Sequence, residues 1–158
     1  MMPSAVVDAN VVIGLSKGGC FHLLPTLFAR VYVTEGVRRE IILLGRGRAG
    51  SEELQQALSQ DWAVAAETSA DRALMVDYEV IEAAKRYSVD YVLTGDVEVA
   101  AMAESYGFKH LSAPDIVAAL KLNGAIPSAH SVLQRMASNG FGIEPAHLQT
   151  ILDLVGES

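Results

Sequence analysis

Two aspartates follow apolar runs in this 158-residue chain: Asp8 after Val6-Val7, and Asp96 shortly after Tyr91-Val92-Leu93. In open parallel sheets, ligands bind outside the carboxyl ends of the strands. Both acids therefore fall on the edge where chemistry is expected. Carboxylates on neighbouring strands repel unless one is protonated or a cation bridges them. A hard divalent cation resolves the conflict, because Mg²⁺ takes oxygen ligands and needs few from the protein. The plainer alternative is that each acid caps the helix after it. For Asp8 alone the two readings weigh equally; for the pair, capping is the weaker.

Other acids stand at less telling positions. Glu40 lies beside the apolar stripe Val37, Ile41 and Leu44, with Arg38 and Arg39 next to it. Spacing alone makes it a surface acid. Asp77 and Glu79 open a helix, Asp77 as its N-cap and Glu79 in its first turn. Alternatively, one of them reaches the Asp8–Asp96 edge. Glu98 reads as an outer ligand or an exposed acid. Glu82 and Arg86 make an i,i+4 surface pair. His22, His110, His130 and His147 have no nucleophile elbow near them and read as surface or half-buried residues. Cys20, beside Phe21, reads as core.

The elements that must position these groups follow from periodicity. Strands are expected at Ala5–Val7, Val31–Val33 and Tyr91–Leu93 and, more weakly, at Trp62–Ala66 and His110–Leu111. Helices are expected from Asn10 as cap, over Cys20–Phe28, after Thr34 as cap, and from Ser51 to about Gln60. Further helices carry the stripe Val80, Ala83, Ala84 and Tyr87, run from Val99 to Tyr106, and follow the cap and proline of Ser112-Ala113-Pro114-Asp115. Strands alternating with helices specify an α/β fold with a mostly parallel central sheet of about five strands. From Ile126 onward there is no strand signal. Ser131–Asn139 and Pro145–Val155 read as a C-terminal helical hairpin, an extension over about 127–158 of one domain spanning 1–158.

Composition narrows the function classes. Lys and Arg number 12 and Asp and Glu 19, a net charge of −7. That balance opposes a protein that coats nucleic acid by bulk charge, yet it suits an enzyme whose acids gather at a metal. A 51% hydrophobic fraction excludes disorder. No apolar run reaches the ~18 residues that span a bilayer, and no signal peptide is evident. A single cysteine excludes a disulfide framework and suits a reducing cytoplasm.

The ordered set Val6-Val7-Asp8-Ala9-Asn10, then Glu40, then an acid at a helix head, then Leu93-Thr94-Gly95-Asp96 resembles PIN domains. These are small metal-dependent ribonucleases that include the VapC-like toxins. The likeness extends to one PIN-like branch of bacteria and archaea through Asp8-Ala9-Asn10-Val11-Val12-Ile13-Gly14-Leu15-Ser16-Lys17 and Leu23-Leu24-Pro25. It continues through Lys121-Leu122-Asn123-Gly124-Ala125-Ile126-Pro127, Gly140-Phe141 and Leu154-Val155-Gly156-Glu157. No single motif is specific; the ordered set is.

The resemblance implies a three-layer fold and cleavage of single-stranded RNA with Mg²⁺ or Mn²⁺. It implies Asp8, Glu40, Glu79 and Asp96 as catalytic acids and metal ligands, with Asp77 as the alternate to Glu79. Glu40 thereby changes from surface acid to ligand. Asn10 and Thr94 match polar positions that hydrogen-bond near the metal. A small antitoxin protein and a second copy of the chain are the implied partners. Two departures stand out. Val76-Asp77-Tyr78-Glu79 replaces a Gly-Glu-x-Glu run, and Val97-Glu98-Val99-Ala100-Ala101 lacks the Arg or Lys that follows the last acid in the branch. Lys17, Arg46 and Arg48 are the bases left for phosphate contacts.

Two other readings compete. Gly45-Arg46-Gly47-Arg48-Ala49-Gly50 fits G-x-G-x-x-G, the dinucleotide fingerprint, provided Ile41–Leu44 is a strand. The stripe from Thr34 opposes that. The second competitor is a non-catalytic PIN-like protein acting through protein partners.

Overall fold

The computed structural model describes residues 2–69 and 76–158, the side chains of 76 and 77 excepted. Five short strands form one sheet: β1 (Ser4–Val7), β2 (Arg30–Val33), β3 (Ala63–Ala65), β4 (Tyr91–Leu93) and β5 (Lys109–Leu111). Their spatial order is β3-β2-β1-β4-β5, and every neighbouring pair is parallel. The central strand β1 reads Ser-Ala-Val-Val, and its three apolar residues are fully buried. An unbroken apolar run is what a strand covered on both faces requires.

The helices are α1 (Ala9–Lys17), α2 (Glu35–Arg38), α3 (Ser51–Ser59), α4 (Val76–Arg86), α5 (Val97–Ser105), α6 (Ala113–Leu122), α7 (Ala129–Ser138) and α8 (Pro145–Leu154). The chain leaves β1 for β2 in one direction and β4 for β5 in the other. Right-handed crossovers then put α1 and α5 on opposite faces. The packing agrees: α4 lies on β1, β4 and α5, while α1 packs on α6 and α7. The result is the expected three-layer α/β architecture, with the sheet wholly parallel. The α7–α8 hairpin closes over α6.

Some local expectations change. The cap of α1 is Asp8, whose side chain accepts from the Val11 amide; Asn10 sits inside the helix. Phe21–Thr26 is a 3₁₀ helix, shorter than the helix expected over Cys20–Phe28. The helix capped by Thr34 is α-helical only through Arg38 and continues over Arg39–Leu44 with π-type turns. A wider turn rotates the stripe out of phase. Val37 and Ile41 stay buried, but Leu44 is 74% exposed. Because Ile41–Leu44 is helical, the strand that a dinucleotide fingerprint needs is absent there, and that reading is withdrawn. Glu82 and Arg86 do not pair either. Glu82 accepts from the Ser69 amide, and Arg86 reaches Glu67 at 3.6 Å.

Candidate functional site

The strand order reverses between β1 and β4, the switch point where parallel sheets open a crevice. Register pairs Val7 with Leu93, so Asp8 and Thr94 leave the sheet side by side. The Asp8 amide donates to the Leu93 carbonyl at 2.9 Å, and the Thr94 amide to the Leu111 carbonyl at 2.9 Å. These two bonds carry the ladder one step past the strands and fix both backbones. The Asp8 Oδ1 accepts from the Val11 amide at 3.0 Å, and its Oδ2 accepts from the Thr94 hydroxyl. The same hydroxyl accepts from the Asp96 amide at 3.1 Å. Asp96 then caps α5, its Oδ1 accepting from the Glu98 and Val99 amides at 2.8 and 3.0 Å. One chain of bonds therefore runs from the first acid to the last through Thr94. Each acid also stands at the N-terminus of a helix, Asp8 before α1 and Asp96 before α5. Asp8 is 7% exposed and Thr94 3%, while Asp96 opens to solvent.

Asn10 rests against Gly95, where any Cβ would overlap the Asn10 amide oxygen. Glycine is thus what lets the β4–α5 turn close onto α1. Glu79 is half-buried; its Oε1 accepts from the Gly36 amide at 2.8 Å and its Oε2 from the Thr68 hydroxyl at 2.9 Å. It thereby ties the segment after β2 to the segment after β3. Glu40 is exposed on the π-type turn, without a hydrogen bond among the described residues. Glu98 is exposed beyond Asp96. The Asp77 side chain lies outside the described residues.

The three proposed phosphate contacts separate. Lys17 is half-buried and lines a cleft of about 440 Å³ with Asn10 and Gly95. Arg46 and Arg48 line a different cleft, of about 550 Å³, with Glu52 and Glu53 at the head of α3.

Asp8, Asp96, Thr94 and Asn10 supply oxygen at one edge, the kind of ligand Mg²⁺ and Mn²⁺ take. Among the described residues no three His, Cys, Asp or Glu side chains converge to hold a metal ion. The described residues therefore form no cage built wholly from protein acids, and an ion at this edge would take most of its ligands from water.

Local sequence gave no hint of one further pair. Asp115, in the first turn of α6, meets His147 of α8 at 3.0 Å, Oδ1 to Nε2. The other carboxylate oxygen accepts from the Ser112 amide and hydroxyl at 2.9 and 2.8 Å. Burial pushes the Asp115 carboxyl up, but these bonds and the imidazole outweigh it and hold the group below the ordinary aspartate value. The two residues lie 32 positions apart, and no helical or strand period links them.

The fold is a small three-layer α/β domain whose wholly parallel sheet carries two helix-capping aspartates at its switch point, an arrangement of nuclease-type folds. The family model described as PIN domain matches residues 4–157, and the chain belongs to that family. PIN domains generally use divalent metals. No curated protein matches the chain. Among the described residues no helix is long and apolar enough to cross a membrane.

Proposed function

We propose that the chain is a metal-dependent endoribonuclease acting on single-stranded RNA, with residues 1–158 working as one domain. The observation that carries this reading is the Asp8–Thr94–Asp96 chain at the switch point of a PIN-domain sheet. Asp8 and Asp96 would hold Mg²⁺ or Mn²⁺, with Glu79 and Glu40 as further ligands or as groups that orient the attacking water. When bound, such an ion lowers the pKa of a water and neutralises charge on the phosphate. The Thr94 hydroxyl would hold the Asp8 carboxylate in place beside the crevice. Attack would be in line and leave a 3′-hydroxyl and a 5′-phosphate. As a VapC-like toxin the chain would pair with a small antitoxin and dimerise.

The test is Mn²⁺-dependent cleavage of single-stranded RNA by the parent chain and by Asp8→Asn. The variant should lose at least 100-fold in rate, since one charged ligand of two is removed. Equal rates would sink the assignment. A small open reading frame directly upstream, and a dimer by light scattering, would support the toxin role.

A second reading has its own observation. Val97, in place of the branch's basic residue, is 83% exposed beside Asp96, and an apolar rim there suits a protein partner better than phosphate. This reading makes the chain a non-catalytic PIN-like protein. It predicts no Mn²⁺ binding by calorimetry, whereas the nuclease reading predicts saturable binding lost in Asp8→Asn.

A further inference from the structure

The cleft beside the acid edge has two walls. Asn10, Gly95 and Lys17 form one; Phe141, Glu144 and His147, from the C-terminal hairpin, form the other. The hairpin is keyed to α1 at several points. A Cβ on Gly14 would stand 2.7 Å from the Phe141 ring, so glycine alone admits the ring at this depth. Asn139 donates to the Lys17 carbonyl at 2.9 Å, and Arg135 to the Gly18 carbonyl at 3.4 Å. These contacts set the last turn of α1, and with it the Lys17 side chain, against the hairpin. The Lys17 ammonium has no carboxylate partner among the described residues, and it lies beside Gly140 of the hairpin, where a Cβ would stand 3.8 Å from Nζ.

Opposite Lys17, the His147 ring is fixed. Its Nε2 is spent on Asp115, which is not itself part of the lining. In the neutral ring an aspartate acceptor places the proton on Nε2 and leaves Nδ1 as an acceptor. The cleft thus offers a cation, Lys17, and a histidine whose Nε2 is already engaged, so that Nδ1 is the ring nitrogen left for a ligand. The negative group in its lining is Glu144, which is exposed; Asp115, outside the lining, is engaged by Ser112 and His147. In a nucleic-acid strand the phosphate complements the cation, and the hydroxyl that an acceptor can read is the ribose 2′-OH.

We propose that this cleft is a ribonucleotide subsite in which Lys17 takes a phosphate oxygen and His147, held by Asp115, reads the 2′-hydroxyl. The subsite makes the hairpin part of substrate recognition. It rests on the ribonuclease reading for the identity of the strand, while the binding geometry needs no metal.

The experiment is binding without metal, on the full chain, of a uridine trinucleotide and its deoxy counterpart, followed by NMR. The ribo form should perturb the Lys17 and Phe141–Glu144 amides and the His147 ring. It should bind about fivefold tighter than the deoxy form, the size of one hydrogen bond. His147→Gln should bring that ratio to about one. Lys17→Gln should weaken both strands about equally, by roughly tenfold, with the ratio kept. The ratio is internal to each folded variant, so a purely structural role for His147 would leave it unmoved. Equal binding of the two strands by the parent chain overturns the proposal. So do shifts confined to the Arg46–Arg48 cleft, or inorganic phosphate matching the trinucleotide in affinity. Ribose preference without Mn²⁺-dependent cleavage would leave the subsite standing and remove the nuclease reading; cleavage without ribose preference would do the reverse.

Discussion

The Thr94 hydroxyl donates to one acid and accepts the amide of the stretch that carries the other. Thr94→Val keeps the shape and deletes both bonds at a site only 3% exposed. It should cost about 1–3 kcal/mol in urea unfolding, the penalty for buried polar groups left without a partner, and Thr94→Ser should recover most of it. Cys20 shows the opposite case, a polar atom kept inert. Burial pushes its thiol up to about 12, with Arg135 opposing weakly. The folded protein should therefore resist iodoacetamide at pH 8, and the urea-unfolded protein should react, as read by mass spectrometry. Asp8 and Asp96 were legible in the sequence because an acid at a strand's end is a local signal. The capping role is what the structure shows for both, Asp8 at α1 and Asp96 at α5. Asn10 as cap was misplaced by two residues, because Asp8 could take that position first.

At the scale of elements, a short tail sets the hairpin. Glu157 accepts from the Ser128 hydroxyl at 2.8 Å and from the Ala129 and His130 amides at 2.7 and 3.3 Å, so the chain's end satisfies the open amides of α7. The Ser128 hydroxyl and the Ala129 amide hold the Glu157 carboxyl below its ordinary value of 4.5. A carboxyl depressed in the folded state stabilises fully above the unfolded value and loses that contribution as pH falls through the folded one. Glu157→Gln should therefore melt lower than the parent at pH 7, and the gap should narrow below pH 4.5. Thermal unfolding followed by circular dichroism at pH 7 and pH 3 checks it. The π-type turns of Arg39–Leu44 were not legible, since Val37, Ile41 and Leu44 fit an ordinary helix. Only packing shows where the extra residue goes, and it leaves Glu40 exposed.

Over the whole molecule, the hairpin closes the face that α1 and α6 would otherwise leave open. Ala129, Leu133 and Met136 of α7 and Ile151 of α8 are buried there. Truncation after Pro127 should strip that cover, leave fully buried residues such as Leu15 and Leu120 less protected, and lower the melting temperature by ten degrees or more or give aggregated protein. Thermal scanning and gel filtration of the truncated chain decide it. The net charge of −7 also takes on a location. Part of it stands at the switch point, where helix ends and a cation can offset it. The bases stand apart, Lys17 in the site's cleft and Arg46 and Arg48 elsewhere.

Strand order of appearance, the caps at Thr34 and Ser112, and the two strand-end aspartates are all set by short-range chemistry, and the sequence alone determined them. Which strands are neighbours is a long-range matter. Pairing β1 with β4 brings Asp8 and Thr94, 86 residues apart, into one hydrogen bond. The Asp115–His147 contact, the Gly14–Phe141 fit and the Asn10–Gly95 approach are likewise long-range. Each depends on how two elements close on one another, and local propensity carries no information about a partner so far along the chain. The tertiary structure alone decided those contacts, and with them the shape of the cleft beside the acids.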